Sequence, residues 1–294
     1  MNKSEEATSN SGTSLLVETL EKRWKTYRSE LKRCQEESSE EAIHDLRVAT
    51  RRLLALMDLL RSISPHPRLQ KLRRTFKMQL DSLDDLRDTQ VMLVEVSETF
   101  SELPELAPFQ EYLLKREKVL LKSTLKEIRS FKPTNVRKQL DTTHKALLKK
   151  EKEKHQQAAL LQIVDDAFET IVRRFQRIEP THPATIHRVR IAFKKFRYMV
   201  EIVHPLISNF PVDNFKHMHN YQGMMGDVQD LEIFLATFEI FASKDKSCNL
   251  ESVRRFYQQR HKEAVNAFIE DMHQLNTFWR LSSEAPFPWE SQPL

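Results

Sequence analysis

Ten residues of this chain, His44-Asp45-Leu46-Arg47-Val48-Ala49-Thr50-Arg51-Arg52-Leu53, return 143 residues later as His187-Arg188-Val189-Arg190-Ile191-Ala192-Phe193-Lys194-Lys195-Phe196. Both copies hold a His, an Arg three residues on, and two adjacent cations at plus seven and plus eight. These residue types suit the holding of an anion. A planar guanidinium grips phosphate oxygens with two parallel N–H bonds, and lysine adds a more mobile point charge. Each imidazole donates one hydrogen bond when neutral and two when protonated. Bound phosphate favours the protonated ring, so binding is expected to strengthen as the pH falls toward about 6.

Such a set works only if one surface gathers it. At about 100° per residue on an α-helix, His44, Arg47 and Arg51 fall in one stripe with Arg52 on its flank, and Leu46, Ala49, Leu53 and Leu60 lie opposite. The second copy places His187, Arg190 and Lys194 in the same stripe, adds Arg197 and Tyr198, and sets Val189, Ala192 and Phe196 opposite. A second echo follows the first: Leu83-Asp84-Asp85-Leu86-Arg87-Asp88 aligns, at an offset of 142, with Met225-Gly226-Asp227-Val228-Gln229-Asp230. Two motifs in the same order at nearly one offset indicate two related halves, each of a size to form one helical unit.

The plain alternative is that the cations pair with carboxylates of neighbouring helices or stand solvated, where each pair is worth about 0–1 kcal/mol. The repetition weighs against it. Two equivalent helices facing each other across a pseudo-twofold axis bring their stripes into one basic groove, with too few carboxylates on the stripes to neutralise it. Asp58 and Glu201, at equivalent positions toward the far ends of the motif segments, are the acids placed to neutralise part of it.

Composition supplies the scaffold. The chain has 294 residues and only three glycines, and its apolar residues recur at three and four rather than two. It reads as almost entirely helical. The formal charge of +5 is mild, but His44–Arg61 holds four cations against two anions, and His187–Glu201 five against one. Such local clustering points to a polyanionic partner. Cys34 and Cys248 are far apart and lack metal spacing, so neither a disulfide framework nor a zinc module is indicated. Residues 1–13 are polar rather than signal-like, and no later run reaches the length of a membrane span. A cytoplasmic location is expected.

Helices are predicted through Leu16, Leu20, Trp24, Tyr27 and Leu31; from a Ser38-Ser39 cap to about Ser64; over Leu69–Phe100 as one or two; and from Gln110 to about Ser130 after breaks at Pro104 and Pro108. A charged connecting helix is expected over Val136–Gln157. The second half then repeats the plan: a helix through Ile163, Phe168, Ile171 and Phe175, a break at 180–183, the second motif helix to about His204, then Asp213–Phe241 and Leu250 to about Leu281. The domain plan is a disordered tail at 1–13, a first half at 14–132, a connecting helix and second half at 133–281, and an irregular tail at 282–294 whose Phe287 and Trp289 are expected to pack onto the body.

The doubled pattern His-x-x-Arg-[Val/Ile]-Ala-x-basic-basic, with a Leu-Gly-x-x-Arg-Asp-like segment after each copy, resembles the CHAD domain, the conserved histidine α-helical domain. The resemblance covers about residues 14–281. It implies an all-α fold of two pseudo-symmetric four-helix bundles from an internal duplication, with a basic central cavity that binds inorganic polyphosphate. On the motif positions, His44, Arg47, Arg51, Arg52, His187, Arg190, Lys194, Lys195, Arg197 and Tyr198 would line it, with Arg74, Lys77, Lys216 and His219 as second-tier candidates. The departures are Leu54 where the second copy has Arg197, and Asp84 and Gln229 where the pattern has Gly and Arg, so a lopsided cavity is expected. Asp88 and Asp230, present in both copies, are read as cap or Arg-pairing residues.

Other signals carry less. His217-Met218-His219 with His204 lacks a shared helix face and a specified carboxylate partner, so no metal is expected. Glu151-Lys152-Glu153-Lys154 overlaps the Glu-x-Glu-x-Lys signature of triphosphate tunnel enzymes, but His155 stands where Lys is needed, in a charged helix rather than a barrel strand. Gly223 and Gly226 are read as standing alone in a Met-rich turn, and no phosphate-binding loop exists. The expectation is a non-enzymatic polyphosphate binder without cofactor or catalytic residues. The alternatives are an RNA or DNA binder, disfavoured because the stripes lack stacking aromatics apart from Tyr198, and a phosphohydrolase, which needs a carboxylate cluster for metal. Storage, granule targeting and regulation of another enzyme stay open, as do a small ligand such as an inositol phosphate and the oligomeric state.

Overall fold

The protein is described from a computed structural model, which describes residues 12–37, 39–133, 136–138, 140–142, 156–244 and 250–290. Residues 1–11 of the expected N-terminal tail, most of the expected connecting helix, Cys248 and Glu151–His155 lie outside the described residues, and residues 12 and 13, expected in the tail, begin the first helix. The long helices are α1 (Gly12–Glu37), α2 (Glu40–Ile63), α3 (Pro67–Asp81), α4 (Asp84–Thr99), α5 (Ala107–Ser130), α6 (Gln156–Phe175), α7 (Ala184–Val203), α8 (Asn214–Lys244) and α9 (Glu251–Asp271). Among the described residues there is no strand, and no helix is long and apolar enough to cross a membrane.

The helix ends have local causes. The hydroxyl oxygen of Ser39 accepts from the Ala42 N–H at 3.2 Å, and Glu40 and Glu41 place negative charge on the first turn of α2. His66 Nδ1 accepts from the Arg68 N–H, and Pro67 begins α3. Pro104 and Pro108 act differently from the expected pair of breaks. Pro104 opens a short 3₁₀ turn at Pro104–Leu106, whereas Pro108 sits in the first turn of α5, where its missing N–H has no intrahelical partner to lose.

Two further expectations are corrected. Gly223 and Gly226 are not in a turn, because α8 runs unbroken through both. In the first half, Ser82 and Leu83 separate α3 from α4, and Asp84 and Asp85 supply the negative first turn that favours a new helix start there; in the second half α8 carries no acid from Asn214 to Gly226, the first being Asp227. The last long helix stops at Asp271 rather than near Leu281, passing into a 3₁₀ segment at Met272–Thr277. Its continuation folds back: Phe278 and Trp279 are buried, and Phe287 stacks on Trp289 at 4.7 Å and meets Trp279 edge-on at 5.0 Å.

Packing follows one order in both halves. In the first, α1 lies on α2, α2 on α3 and α4 on α5; in the second, α6 lies on α7, α7 on α8 and α8 on α9. The halves meet where α2 packs on α7 and α4 on α8. One core joins them, with Leu46, Leu53 and Leu60 of α2 in the same cluster as Val189, Phe193 and Phe196 of α7. A second, aromatic core lies between α4, α5, α8 and α9, where Phe109 meets Phe234 and Phe238 edge-on and Thr99 and Tyr257 share a buried hydrogen bond of 2.7 Å. The apolar faces of α2 and α7 are thus spent on a shared core, and their polar faces come together along a seam.

Candidate functional site

Arg47 and Arg51 of α2 meet Arg190 and Lys194 of α7 in this seam, close enough for the four to repel one another. Burial, followed by the charges of Arg51, Arg190 and Arg47, pulls the Lys194 ammonium down to about 6. Burial likewise lowers Arg51 to about 10, with Arg47 and Arg190 adding to it. Among the described residues no carboxylate lies within ion-pair distance of Arg51, Arg190 or Lys194, and Arg190 Nε is buried with no acceptor. The stripes do converge, and of the four cations at their centre only Arg47 has a carboxylate within ion-pair distance among the described residues.

The first-copy arginine is treated differently from its counterpart. Arg47, 4% exposed, has its Nη1 at 2.7 Å from Asp84 Oδ1. At the position matching Asp84 stands Gly226, and a Cβ there would meet the Arg190 side chain at 3.8 and 3.9 Å. Arg87 of the first half pairs with Glu40, whereas its counterpart is the neutral Gln229, beside His187. Burial and neighbouring arginines hold both His44 and His187 below the usual histidine range. Behind the cations lie the acids of the second motif: burial and Asp84 raise Asp88 to about 6, and burial raises Asp230, against the pull of Arg190. Neither Asp88 nor Asp230 forms an ion pair or caps a helix within the described residues.

At the other end of the seam the cations are paired. Arg52 reaches Glu201 at 3.2 Å, and Lys195 reaches Asp58 at 3.2 Å. Glu201 also pairs with Arg197 at 3.0 Å and Arg23 at 3.6 Å, and Asp58 with Arg73 at 2.6 Å. Arg197 further donates to Gln222 and lies 4.5 Å over the ring of Tyr198, which is buried. The plain alternative of charge pairing therefore holds for Arg52, Lys195 and Arg197.

Of the second-tier residues, Arg74 is exposed and lines a shallow hollow of ≈ 380 Å³ along α3 with Pro67, Lys71 and Met78. Lys77 pairs with Asp81 of its own helix, and Lys216 and His219 are exposed. His204 packs between Phe210 and Phe215, and the described residues hold no group of three or more His, Cys, Asp or Glu side chains suited to a metal ion. Two members were missed by the sequence reading. Arg23 of α1, brought down to about 10 by burial, has Asp165 and Asp166 at the matching offsets, so the repeat gave no signal for it. Asp84 was visible only as a departure from the pattern. Cys34 is buried, which pushes its thiol up to about 11 and away from reactive thiolate chemistry.

The CHAD domain family model matches residues 18–239. Among solved structures, the crystal structure of the CHAD domain from the plant Ricinus communis is similar with a TM-score of 0.65 at 17% identity, covering 90% of this chain and 89% of that one. No curated protein sequence matches significantly.

Proposed function

Since the chain belongs to the CHAD domain family, we propose that the seam between α2 and α7 binds inorganic polyphosphate and does not transform it. The observation that carries this reading is Lys194: an ammonium held among Arg47, Arg51 and Arg190, pulled down to about 6 by its setting. Left alone, such a site is electrostatically costly, and a bound polyanion relieves it by supplying the missing negative charge. Each phosphate along the chain repeats the charge, so several cations of one seam engage a single ligand, and counterion release makes its affinity fall steeply with salt.

Polyphosphate is favoured over nucleic acid by the state of Tyr198. It is the one aromatic of the stripes, and its ring is buried beneath Arg197, which leaves no platform for a base. On this reading the protein is cytoplasmic and works without a cofactor, and association with polyphosphate granules is one setting in which it would meet its ligand.

The test is calorimetric titration with long-chain polyphosphate, tripolyphosphate and a single-stranded oligonucleotide at two salt concentrations, on the wild type and on Arg51→Ala/Lys194→Ala. Salt-sensitive binding of long polyphosphate that the double variant loses supports the reading. Equal affinity for the oligonucleotide, or indifference to the double variant, overturns it. Phosphate release from polyphosphate with added magnesium would instead make the protein a hydrolase.

A further inference from the structure

We infer that Asp84 is a built-in counterion that occupies Arg47 and so confines phosphate binding to the second-copy side of the seam, at Arg190, Lys194 and Arg51 beside Gly226. The inference rests on the polyphosphate reading and sharpens it.

Matched positions in the two motifs differ where it matters for charge. Arg47 is buried with a carboxylate oxygen 2.7 Å from its Nη1. Arg190, its counterpart, faces Gly226, which carries no side chain, and has no carboxylate within ion-pair distance among the described residues, although the charges of Asp227 and Asp230 act on it from farther off. A buried nitrogen without a hydrogen-bond acceptor is common to both, Nη1 in Arg47 and Nε in Arg190, so the difference between them is the counterion. The next pair along repeats the difference: Arg87 is held by Glu40, and Gln229 brings no charge. A phosphate approaching the first-copy side must displace Asp84 from Arg47, and an arginine already paired offers it little net attraction. On the second-copy side a phosphate oxygen meets a buried guanidinium with no carboxylate close enough to compete for it, and a charge-assisted contact to such a group gains more than one that must first displace a counterion. The lack of a Cβ at residue 226 also keeps the ground beside Arg190 open to a ligand.

The difference is transferable by substitution. Asp84→Asn removes the internal counterion while keeping the side chain's shape, and Gly226→Asp supplies one to Arg190. The spacing around residue 226 admits the extra Cβ in ordinary van der Waals contact. Two controls match the charge and the shape: Asp85→Asn, at an exposed neighbour 4.0 Å from Arg116, and Gly226→Asn.

Titration of full-length protein with long-chain polyphosphate at fixed salt is expected to show Asp84→Asn binding on the order of tenfold tighter than wild type and Gly226→Asp on the order of tenfold weaker. Asp85→Asn should stay within about twofold of wild type, and Gly226→Asn, which fills the space beside Arg190 without adding charge, should fall between wild type and Gly226→Asp. An Asp84→Asn affinity no higher than that of Asp85→Asn overturns the inference, as does a Gly226→Asp affinity no lower than that of Gly226→Asn. If thermal melts show Gly226→Asp unfolded, the Asp84→Asn and Asp85→Asn pair decides alone. A wild type that fails to bind polyphosphate overturns the functional reading and this inference with it, whereas binding by wild type with unmoved variants overturns only the inference.

Discussion

Arg52 of α2 lies 3.2 Å from Glu201 of α7, and the contact is made in reverse by their sequence counterparts, Lys195 of α7 and Asp58 of α2, also at 3.2 Å. Reciprocal contacts of this kind are what two elements on either side of a two-fold axis make. The acids are more deeply set than the cations they bind: side-chain exposure is 18% for Glu201 and 10% for Asp58, against 44% for Arg52 and 49% for Lys195. The acids therefore organise this end of the seam and the outer cations follow.

Glu201→Ala tests that ranking. It strands Arg23, Arg52 and Arg197 around a single missing carboxylate, and Arg23 and Arg197 are largely buried. The expected loss is about 2–4 kcal/mol, since removing one partner of a buried ion pair leaves uncompensated charge. Arg52→Ala removes only an exposed partner and is expected to cost under about 1 kcal/mol. Denaturant midpoints with an unchanged m-value measure both, and equal losses would contradict the ranking.

Asp165 of α6 ties the chain's return to the body. Its carboxylate accepts from Trp279 Nε1 at 2.7 Å and from Arg280 Nε and Nη2 at 3.0 and 2.6 Å, and it is 7% exposed. Asp165→Asn keeps the shape but removes the charge opposite Arg280. A loss of about 2–3 kcal/mol is expected, with red-shifted tryptophan fluorescence as Trp279 and Trp289 gain water. Unshifted fluorescence at a lowered midpoint would place the damage elsewhere.

The helices were legible because their apolar residues recur at helical spacing and Ser39, Pro67 and the 180–183 break punctuate them. The convergence of Arg51 with Lys194 was legible as well, because a repeat specifies which faces correspond, and so was the role of Asp58 and Glu201 at matched positions. What the sequence could not carry is who pairs with whom. Whether an arginine is spent depends on the reach of a side chain from another helix, as with Glu201 toward Arg23, and such pairs leave no periodic mark. The break at Ser82-Leu83 against the unbroken course through Gly226 was hidden for a related reason. Glycine ordinarily signals a turn, but Gly226 is buried against Arg190 and its helix is held by the packing of Met225 and Val228.

Lys194 is expected to trade stability for binding. Its folded value near 6 lies well below the roughly 10.4 of an unfolded lysine, so at neutral pH folding expels a proton that the unfolded chain keeps. The resulting cost is complete below about pH 6 and vanishes above about pH 10. Lys194→Met, of similar length and without charge, should therefore raise stability by about 1–2 kcal/mol at pH 7. The gain should shrink as the pH rises toward 10, while polyphosphate affinity falls. Melting curves at pH 6, 8 and 10 check the sign, and a gain that grows with pH would refute it.

The same displacement makes binding proton-linked. Lys194 and Asp88 each stand near 6, His44 and His187 lie below the usual histidine value, and Asp227 and Asp230 lie above the usual carboxylate value. As the pH falls from 8 toward 5.5, Lys194 gains positive charge and Asp88 loses negative charge, so both shift the seam toward the anion. Arg51, near 10, stays charged throughout. A bound polyanion raises Lys194 first, because that residue has no carboxylate of its own and sits among three arginines. At pH 7.5 binding should then take up a proton, and affinity should rise by up to about tenfold for each unit of acidification per proton taken up. Calorimetry at one pH in buffers of different ionisation enthalpy counts those protons directly. Wild type should show net uptake, Lys194→Met should lose most of it, and Asp88→Asn should lose a smaller share. Zero uptake by the wild type would mean that the ligand does not reach Lys194.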